Sequence, residues 1–132
     1  EWTRHFNVHD GWGMIQLMRS GVELAVISAG DSPDVRARMK KLGVERTYFG
    51  QDHKGIAFDK ILDEMKLSSE QVAYMGDDVY DLPVLEKVGL SISVPNGVKE
   101  VRDVVDCVTG VMGGKGAVRE LTDAILLARG SD

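Results

Sequence analysis

The sequence has one cysteine, three prolines and no long hydrophobic run among its 132 residues. Because Cys107 is alone, an internal disulfide framework and a cysteine-based zinc site are both excluded. No apolar stretch approaches the roughly 20 residues that a membrane-spanning helix needs. We therefore expect a soluble protein of the cytoplasm, in which Cys107 is a buried, small apolar side chain.

Clusters of basic residues are also lacking, and acidic residues outnumber basic ones. The formal net charge is -5 at pH 7, whereas nucleic-acid surfaces need grouped lysines and arginines. Neither nucleic acid nor a membrane is an expected partner, while an acidic balance suits a metal-dependent enzyme. The hydrophobic share of 43% is ordinary for a globular protein. Residues 1–132 thus predict one domain, which we expect to be incomplete at its N-terminus because no initiating methionine precedes Glu1.

Two continuous apolar runs, Glu23–Ser28 and Gln71–Met75, are typical of strands that are covered on both faces. Helical spacing lies between them at Pro33–Leu42 and Gly55–Met65. Such alternating units predict an α/β fold, a three-layer α/β/α Rossmann-like arrangement around a parallel sheet. The same alternation predicts further strands at Thr47–Phe49, Leu90–Val94 and Cys107–Thr109, and further helices at Leu82–Val88, Val98–Val104 and Ala117–Ala128.

The first residues follow a different pattern. Arg4–Asp10 alternates between polar and apolar side chains, which predicts a strand. Gly11 and Gly13 are predicted to break it, before a helix that begins at Met14. At the other end, Arg129–Asp132 is predicted to be a frayed tail.

Polar groups follow three of the predicted strands. In open parallel sheets, ligands bind at the carboxyl ends of the strands, where this chain offers Ser28, then Lys54, then the pair Asp77 and Asp78. A hydroxyl, an ammonium and a carboxylate pair are the groups that hold a phosphate and a hard divalent cation. Lys54 could also be an ordinary solvated lysine, and Ser28 a hydroxyl that satisfies the backbone.

The two adjacent aspartates have a competing interpretation, which is that they cap the following helix. A cap needs only one of them, and adjacent carboxylates repel each other unless a cation lies between them. Asp81, shortly afterwards, fits a helix start and a supporting role in the site equally well.

Five short motifs occur in order along nearly the whole chain. They are Phe6–Gly11, Val26–Ser28, Tyr48–Gln51 with Lys54, Val72–Asp78 and Gly113–Glu120. As a set they resemble the haloacid dehalogenase superfamily, and more closely its small cap-less branch of 3-deoxy-D-manno-octulosonate 8-phosphate phosphatases. That branch also includes sialic-acid-type 9-phosphate phosphatases and the C-terminal domain of some acylneuraminate cytidylyltransferases.

The resemblance implies a role for each matching position. Asp77 would bind Mg²⁺ with Asp78 in support, and Lys54 and Ser28 would act with Asp77 in catalysis by binding the transferring phosphoryl group. It implies a homotetramer, with Gly113–Glu120 near a site that a neighbouring subunit completes. The implied substrate-binding residues are Asn7, Val8, His9, Asp10, Gly11, Ser28, Arg38 and Lys54.

Departures from the family pattern limit these implications. The nucleophilic aspartate of that family lies in an Asp-x-Asp motif on the first strand, which has no counterpart in residues 1–132. The expected fold is therefore haloacid dehalogenase-like without its first strand, and we expect this chain alone to be inactive. In addition, Ser28–Gly30 replaces a frequent Thr-Gly-Arg, His9 replaces an arginine, and Asp31 adds a negative charge.

The leading hypothesis is a Mg²⁺-dependent phosphatase for an acidic sugar phosphate, in lipopolysaccharide-sugar or sialic-acid (nonulosonate) synthesis. The substrate would be one such as 3-deoxy-D-manno-octulosonate 8-phosphate or a nonulosonate 9-phosphate. The alternative is a catalytically silent oligomerisation domain, as in the C-terminal region of an acylneuraminate cytidylyltransferase. A phosphoacceptor receiver domain fits less well, because its acceptor acid should end an internal strand where this chain has Ser28.

Overall fold

Helices and short strands alternate along the chain, as the sequence predicts. The computed structural model describes residues 8–113 and 115–130, and the side chains of residues 8–10 lie outside the description. Short 3-10 helices at Ser69–Gln71 and Val79–Asp81 flank the third strand. The other elements are α1 (Val8–Arg19), β1 (Ala25–Ile27), α2 (Pro33–Leu42), β2 (Arg46–Tyr48), α3 (Lys54–Met65), β3 (Ala73–Met75), α4 (Leu82–Leu85), β4 (Leu90–Ser93), α5 (Lys99–Arg102), β5 (Cys107–Val108) and α6 (Ala117–Ala128).

Every strand pairing in the described part of the chain is parallel, which confirms the predicted sheet type. β1 pairs with β2, and β3–β4–β5 form a second set with β4 in the middle. The inner edges of β1 and β3 have no strand partner among the residues described. The parallel strands are thus arranged in two pieces, and β1 and β3 are shorter than their apolar runs suggest.

Helix α2 shows how closely local signals can fix an element. The Ser32 side chain accepts a hydrogen bond from the Val35 backbone N–H at 3.2 Å, Pro33 occupies the first turn, and Gly43 ends the helix at φ 87°. The predicted bounds of α2 and α6 are confirmed. α4 and α5 are shorter than predicted because each begins or ends in turns with 3-10 character.

The predicted strand at the start is wrong where the structure describes it, because residues 8–10 begin α1. The two glycines do not break the chain but let α1 approach its neighbours closely. A Cβ atom added at Gly11 would lie 2.7 Å from Arg38 Nη2, and one added at Gly13 would lie 2.2 Å from Thr122 Oγ1. Glycine is therefore required for packing at Gly13, where it overrides its low helix propensity, whereas at Gly11 the flexible end of Arg38 could move aside. The rest of the predicted strand lies outside the described residues.

One cluster of buried side chains joins α2 to β1 and α1. Val35, Met39 and Val44 are its centre, and all three are at most 7% exposed. Around them pack Met14, Met18, Leu24, Val26, Leu42 and Phe49. The predicted burial of Cys107 is wrong, because this residue is exposed on β5, at the edge of its sheet. Within the described part of the chain, no helix is both long and apolar enough to cross a membrane.

Candidate active site

A cavity of about 230 Å³ lies between the carboxyl ends of β1 and β3. It brings together the predicted residues Lys54 and Asp77, which are far apart in the sequence. Its other lining residues are Ile27, Tyr74, Met75, Gly76, Asp81, Val94 and Gly113. The position agrees with the rule that ligands of parallel sheets bind at the carboxyl ends of the strands.

The Asp81 carboxylate is the centre of the polar contacts in this cavity, and the residue is only 2% exposed. Its Oδ1 accepts hydrogen bonds from Lys54 Nζ and from the Tyr74 hydroxyl, each at 2.7 Å. Its Oδ2 accepts from the backbone N–H groups of Asp77 at 3.0 Å and Asp78 at 3.2 Å. Four donors thus compensate one buried negative charge, as burial of a carboxylate requires.

The glycine at the end of β3 makes this arrangement possible. A Cβ atom added at Gly76 would lie 2.6 Å from both Cβ and Cγ of Asp81. The chain then turns through the 3-10 helix Val79–Asp81. This turn brings the Asp81 side chain back to the backbone N–H groups of Asp77 and Asp78. The sequence Gly-Asp-Asp therefore has a geometric reason, because only glycine leaves room for the Asp81 carboxylate.

Lys54 reaches the cavity from the other side. It is the first residue of α3, and its side chain is 13% exposed. The ion pair with Asp81 connects α3 to the turn after β3 and points the ammonium into the cavity. An ammonium in such a place can neutralise charge on a phosphoryl oxygen.

Asp77 lines the cavity, and its acidity is perturbed. Partial burial, followed by the negative charge of Asp81, raises the pKa of Asp77, while Lys54 acts in the opposite direction. The ionised carboxylate is thus incompletely compensated by the protein, which is the condition in which a carboxylate gains most from a bound cation.

Asp78 and Asp77 differ in which of the two roles, helix capping or metal binding, their positions fit. Its Oδ1 accepts a hydrogen bond from the Val79 backbone N–H at 2.6 Å, so that it caps the 3-10 helix. The sequence left open whether both aspartates cap a helix. The structure gives the cap to Asp78 and leaves Asp77 facing the cavity.

The remaining predicted site residues do not line the cavity or lie outside the description. Ser28 follows Ile27 of the cavity wall, and its backbone bonds to Tyr48 and Gln51. Gly11 lies in α1 against Arg38 of α2. Asn7 lies outside the described residues, and Val8, His9 and Asp10 are in α1 with their side chains undescribed.

The loop before α6 is fastened at several backbone positions. The backbone N–H groups of Gly110 and Val111 donate to the Glu120 carboxylate at 3.0–3.1 Å. The Gly113 N–H donates to Asn96 Oδ1 at 2.8 Å, and Gly113 lines the cavity. The motif Gly113–Glu120 thus begins at this chain's own cavity.

Sequence reasoning missed Tyr74, which stands inside an apolar strand, so its hydroxyl gave no separate signal. For Asp81 the sequence left a helix start and a supporting role in the site equally open, and the structure places its carboxylate at the cavity. A glycine beside clustered acids was the available clue, since it marks a close approach of side chain to backbone. A larger cavity, about 580 Å³, lies at the opposite ends of β1 and β2 and contains none of the predicted site residues.

Comparison with known proteins agrees with this geometry. Residues 48–121 match the haloacid dehalogenase-like hydrolase family. Over 130 residues the chain is 42% identical to the 3-deoxy-D-manno-octulosonate 8-phosphate phosphatase of Escherichia coli K12, covering 98% of this chain and 69% of that relative. The chain therefore belongs to the haloacid dehalogenase superfamily and, within it, to the 3-deoxy-D-manno-octulosonate 8-phosphate phosphatase-like family.

Two solved structures extend the comparison to the fold. The phosphatase from Moraxella catarrhalis, crystallised with magnesium, phosphate and 3-deoxy-D-manno-octulosonate (KDO), has a TM-score of 0.93 at 40% identity, covering 96% of this chain and 72% of that one. The cobalt-bound phosphatase from Haemophilus influenzae has a TM-score of 0.93 at 38% identity, covering 98% and 76%. The predicted α/β, Rossmann-like fold class is confirmed.

Proposed function

We propose that this protein is a Mg²⁺-dependent phosphatase that hydrolyses an acidic sugar phosphate. The observation that carries the proposal is the convergence of Lys54 and Asp77 on one cavity, with Asp81 holding the lysine at 2.7 Å. The relatives named above are phosphatases for 3-deoxy-D-manno-octulosonate 8-phosphate, which makes this compound the first substrate to test. A nonulosonate 9-phosphate is the second.

The donor set of the cavity suits magnesium. Among the described residues, no three His, Cys, Asp or Glu side chains are arranged to hold an ion. Magnesium commonly needs fewer, because it keeps several waters and binds one or two carboxylates together with substrate phosphate. Asp77 would hold it, with Asp78 in support, and the bound ion would neutralise charge on the phosphoryl oxygens.

The other polar groups have roles in binding and orientation. The Lys54 ammonium would contact a phosphoryl oxygen, and the Ser28 hydroxyl would donate to another. We further propose that Asn7–Gly11 and Arg38 bind the sugar. Asp31, which adds negative charge near the end of β1, is paired with Arg36, and this pairing weakens its repulsion of an acidic substrate.

We propose that the nucleophile lies on an extended segment that pairs with the inner edges of β1 and β3. Both edges border the cavity, through Ile27 and Met75. An aspartate there would attack phosphorus as the bond to the sugar oxygen breaks, the sugar oxygen would take a proton from a second acid, and water would then release phosphate. Residues 1–132 without that segment should show no turnover.

The direct test is hydrolysis of acidic and neutral sugar phosphates by the full-length protein, with magnesium and with EDTA. Asp77→Asn should lower kcat/KM by about 10³-fold and Lys54→Ala by about 10²-fold. Asp31→Asn serves as the matched control, since it removes an acid from the end of β1 rather than β3. Turnover that persists in both site variants would refute the assignment.

A silent oligomerisation domain remains the alternative, and the same experiment distinguishes it. A catalytically silent domain would not require a largely buried lysine such as Lys54 at a cavity. We also propose that the protein is a homotetramer, for which the exposed apolar residues Val104, Val108 and Met112 beside β5 offer surface to bury. Light scattering of the purified protein tests this independently, and a monomeric mass would contradict it.

A further inference from the structure

The Tyr74 hydroxyl shares an acceptor with the Lys54 ammonium, because both donate to Asp81 Oδ1 at 2.7 Å. We infer that Tyr74 is a positioning residue that fixes the Lys54 ammonium by acting through Asp81. The inference deepens the function proposed above and rests on it. Tyr74 needs no contact with substrate for this role.

The two oxygens of Asp81 are held in different ways. Oδ2 is fixed by backbone N–H groups of the turn after β3, which cannot move without moving that turn. Oδ1 is fixed by two side chains, one from β3 and one from α3. Without Tyr74, Lys54 would be the only donor to Oδ1 among the described residues, so Oδ1 could turn with the lysine about the carboxylate's fixed Oδ2 contacts.

Sharing the oxygen also affects how strongly the ammonium is held. An ammonium has three N–H donors, and a substrate phosphoryl group must compete with Asp81 for them. A second donor to Oδ1 takes part of the negative charge that would otherwise act on Lys54 alone. The hydroxyl thus leaves the ammonium oriented but available.

Tyr74 is suited to this task by its place in the fold. It belongs to β3, the strand that also leads to Asp77, so its hydroxyl keeps a fixed relation to the turn. Burial and the neighbouring charge of Asp81 raise the pKa of Tyr74, which keeps the hydroxyl protonated and able to donate.

The chain contains a matched control for the loss of such a bond. Tyr48, on β2, also donates its hydroxyl to a carboxylate, that of Glu64. This second pair is exposed and does not line the cavity. Tyr48→Phe therefore removes the same chemical group from a second strand without disturbing Asp81.

The first test observes the lysine directly and needs no turnover. In ¹⁵N-labelled protein, the side-chain ammonium signal of Lys54 is assigned by its absence in Lys54→Met. We expect Tyr74→Phe to shift or broaden this signal and Tyr48→Phe to leave it in place. A Lys54 signal with the same position and the same width in Tyr74→Phe as in the unaltered protein overturns the inference.

The second test is kinetic. Tyr74→Phe should lower kcat about tenfold, the loss of one hydrogen bond to a charged group, with KM changed less than about twofold. In a Lys54→Arg background, whose guanidinium has a different geometry, the same change should lower kcat less than about twofold. Equal effects in both backgrounds would show that Tyr74 does not act through Lys54.

Rescue separates a positioning role from a general loss of stability. Incorporation of 4-aminophenylalanine at position 74 restores a donor on the same ring, and should recover most of kcat and the Lys54 signal. Recovery of neither, in folded protein, contradicts the inference. If Lys54→Arg retains full turnover, the proposed role of Lys54 in the phosphatase fails, while the ammonium signal still decides whether Tyr74 holds it.

Discussion

The ends of β1 and β3 present the same kind of residue in two opposite environments. After β1, Asp31 pairs with Arg36, with Arg36 Nη2 at 2.8 Å, and both side chains are about half exposed. After β3, Asp81 is almost fully buried and has four donors. An acid that follows a parallel strand can therefore be either a local surface contact or the framework of a site.

Burial decides between these outcomes. The exposed pair keeps access to water, so its attraction is largely screened and contributes little. The buried carboxylate has lost its hydration, so each of its donors is needed, and their positions become fixed in return. The number of donors to an acid is therefore a better guide to a site than the presence of the acid.

The largest expected effect comes from removing the buried acid. Asp81→Ala leaves the Lys54 ammonium, the Tyr74 hydroxyl and two backbone N–H groups without their acceptor. We expect the free energy of unfolding, measured in urea, to fall by about 3–5 kcal/mol. The control is Asp31→Ala, which should leave the urea midpoint unchanged. A loss below about 1 kcal/mol for Asp81→Ala would remove the contrast between the two strand ends.

The next effect concerns the space that Asp81 occupies. Gly76→Ala places a methyl group where the side chain of Asp81 lies, so the turn after β3 must shift. We expect a loss of about 1–3 kcal/mol in the free energy of unfolding, as in overpacked interiors. Gly110→Ala is the control, because its Cβ would be no nearer than 3.8 Å to the Glu120 carboxylate. Equal losses in the two variants would contradict the close approach.

A smaller effect links Asp77 to pH and to metal. Because the folded-state pKa of Asp77 lies above its usual value of 3.8, the folded protein binds this proton more tightly than the unfolded chain does. The stability that protonation of Asp77 contributes is present at low pH and is lost as pH rises through the folded-state pKa. In EDTA, Asp77→Asn should therefore have a higher Tm than the unaltered protein at pH 7, and the difference should disappear below about pH 4.

Magnesium should act in the opposite direction in the same experiment. Magnesium that binds the folded state raises the Tm of the unaltered protein and not that of Asp77→Asn. The difference in Tm between the two proteins at pH 7 should therefore narrow or reverse. A Tm difference that responds neither to pH nor to magnesium would mean that Asp77 is not the perturbed acid of the cavity.

The smallest effect is expected at the exposed pair. The hydrogen bond from Arg36 lowers the pKa of Asp31, but both side chains of the pair are about half exposed to solvent. We expect Asp31→Asn to leave the Tm unchanged within experimental error at 150 mM salt. A clear decrease in Tm would show that the β1 end is also a structural centre.

Particular residues show how far the sequence alone could lead. Ser32, Pro33 and Gly43 fix α2 by local rules, and both of its ends were predicted correctly. Continuous apolar runs located β1 and β3, but not how few residues of each form pairs, because pairing depends on neighbours distant in sequence. Lys54 and Asp77 were predicted to converge by the topology of parallel strands, and the cavity that both residues line agrees with that prediction.

The failures have one physical cause in common. Gly11 and Gly13 were interpreted as breaks because their propensity is local information, whereas their reason is the proximity of Arg38 and Thr122. Tyr74 was not predicted, because a hydroxyl in an apolar strand indicates a site residue only when the fold brings an acid within hydrogen-bond distance of it. Close contacts between distant residues decide these cases, and a single sequence does not display them.

The packing of α1 against α6 determines when, during synthesis of the chain, the contact between these two helices can form. Gly13 meets Thr122 there, and Arg129 donates to the Ser20 carbonyl oxygen at 3.2 Å. α1 leaves the ribosome first among the described elements, and its partner leaves last. Until Ala117–Ala128 has emerged, Gly13 of α1 has no partner to pack against, so this contact can form only after every other described element has been synthesised.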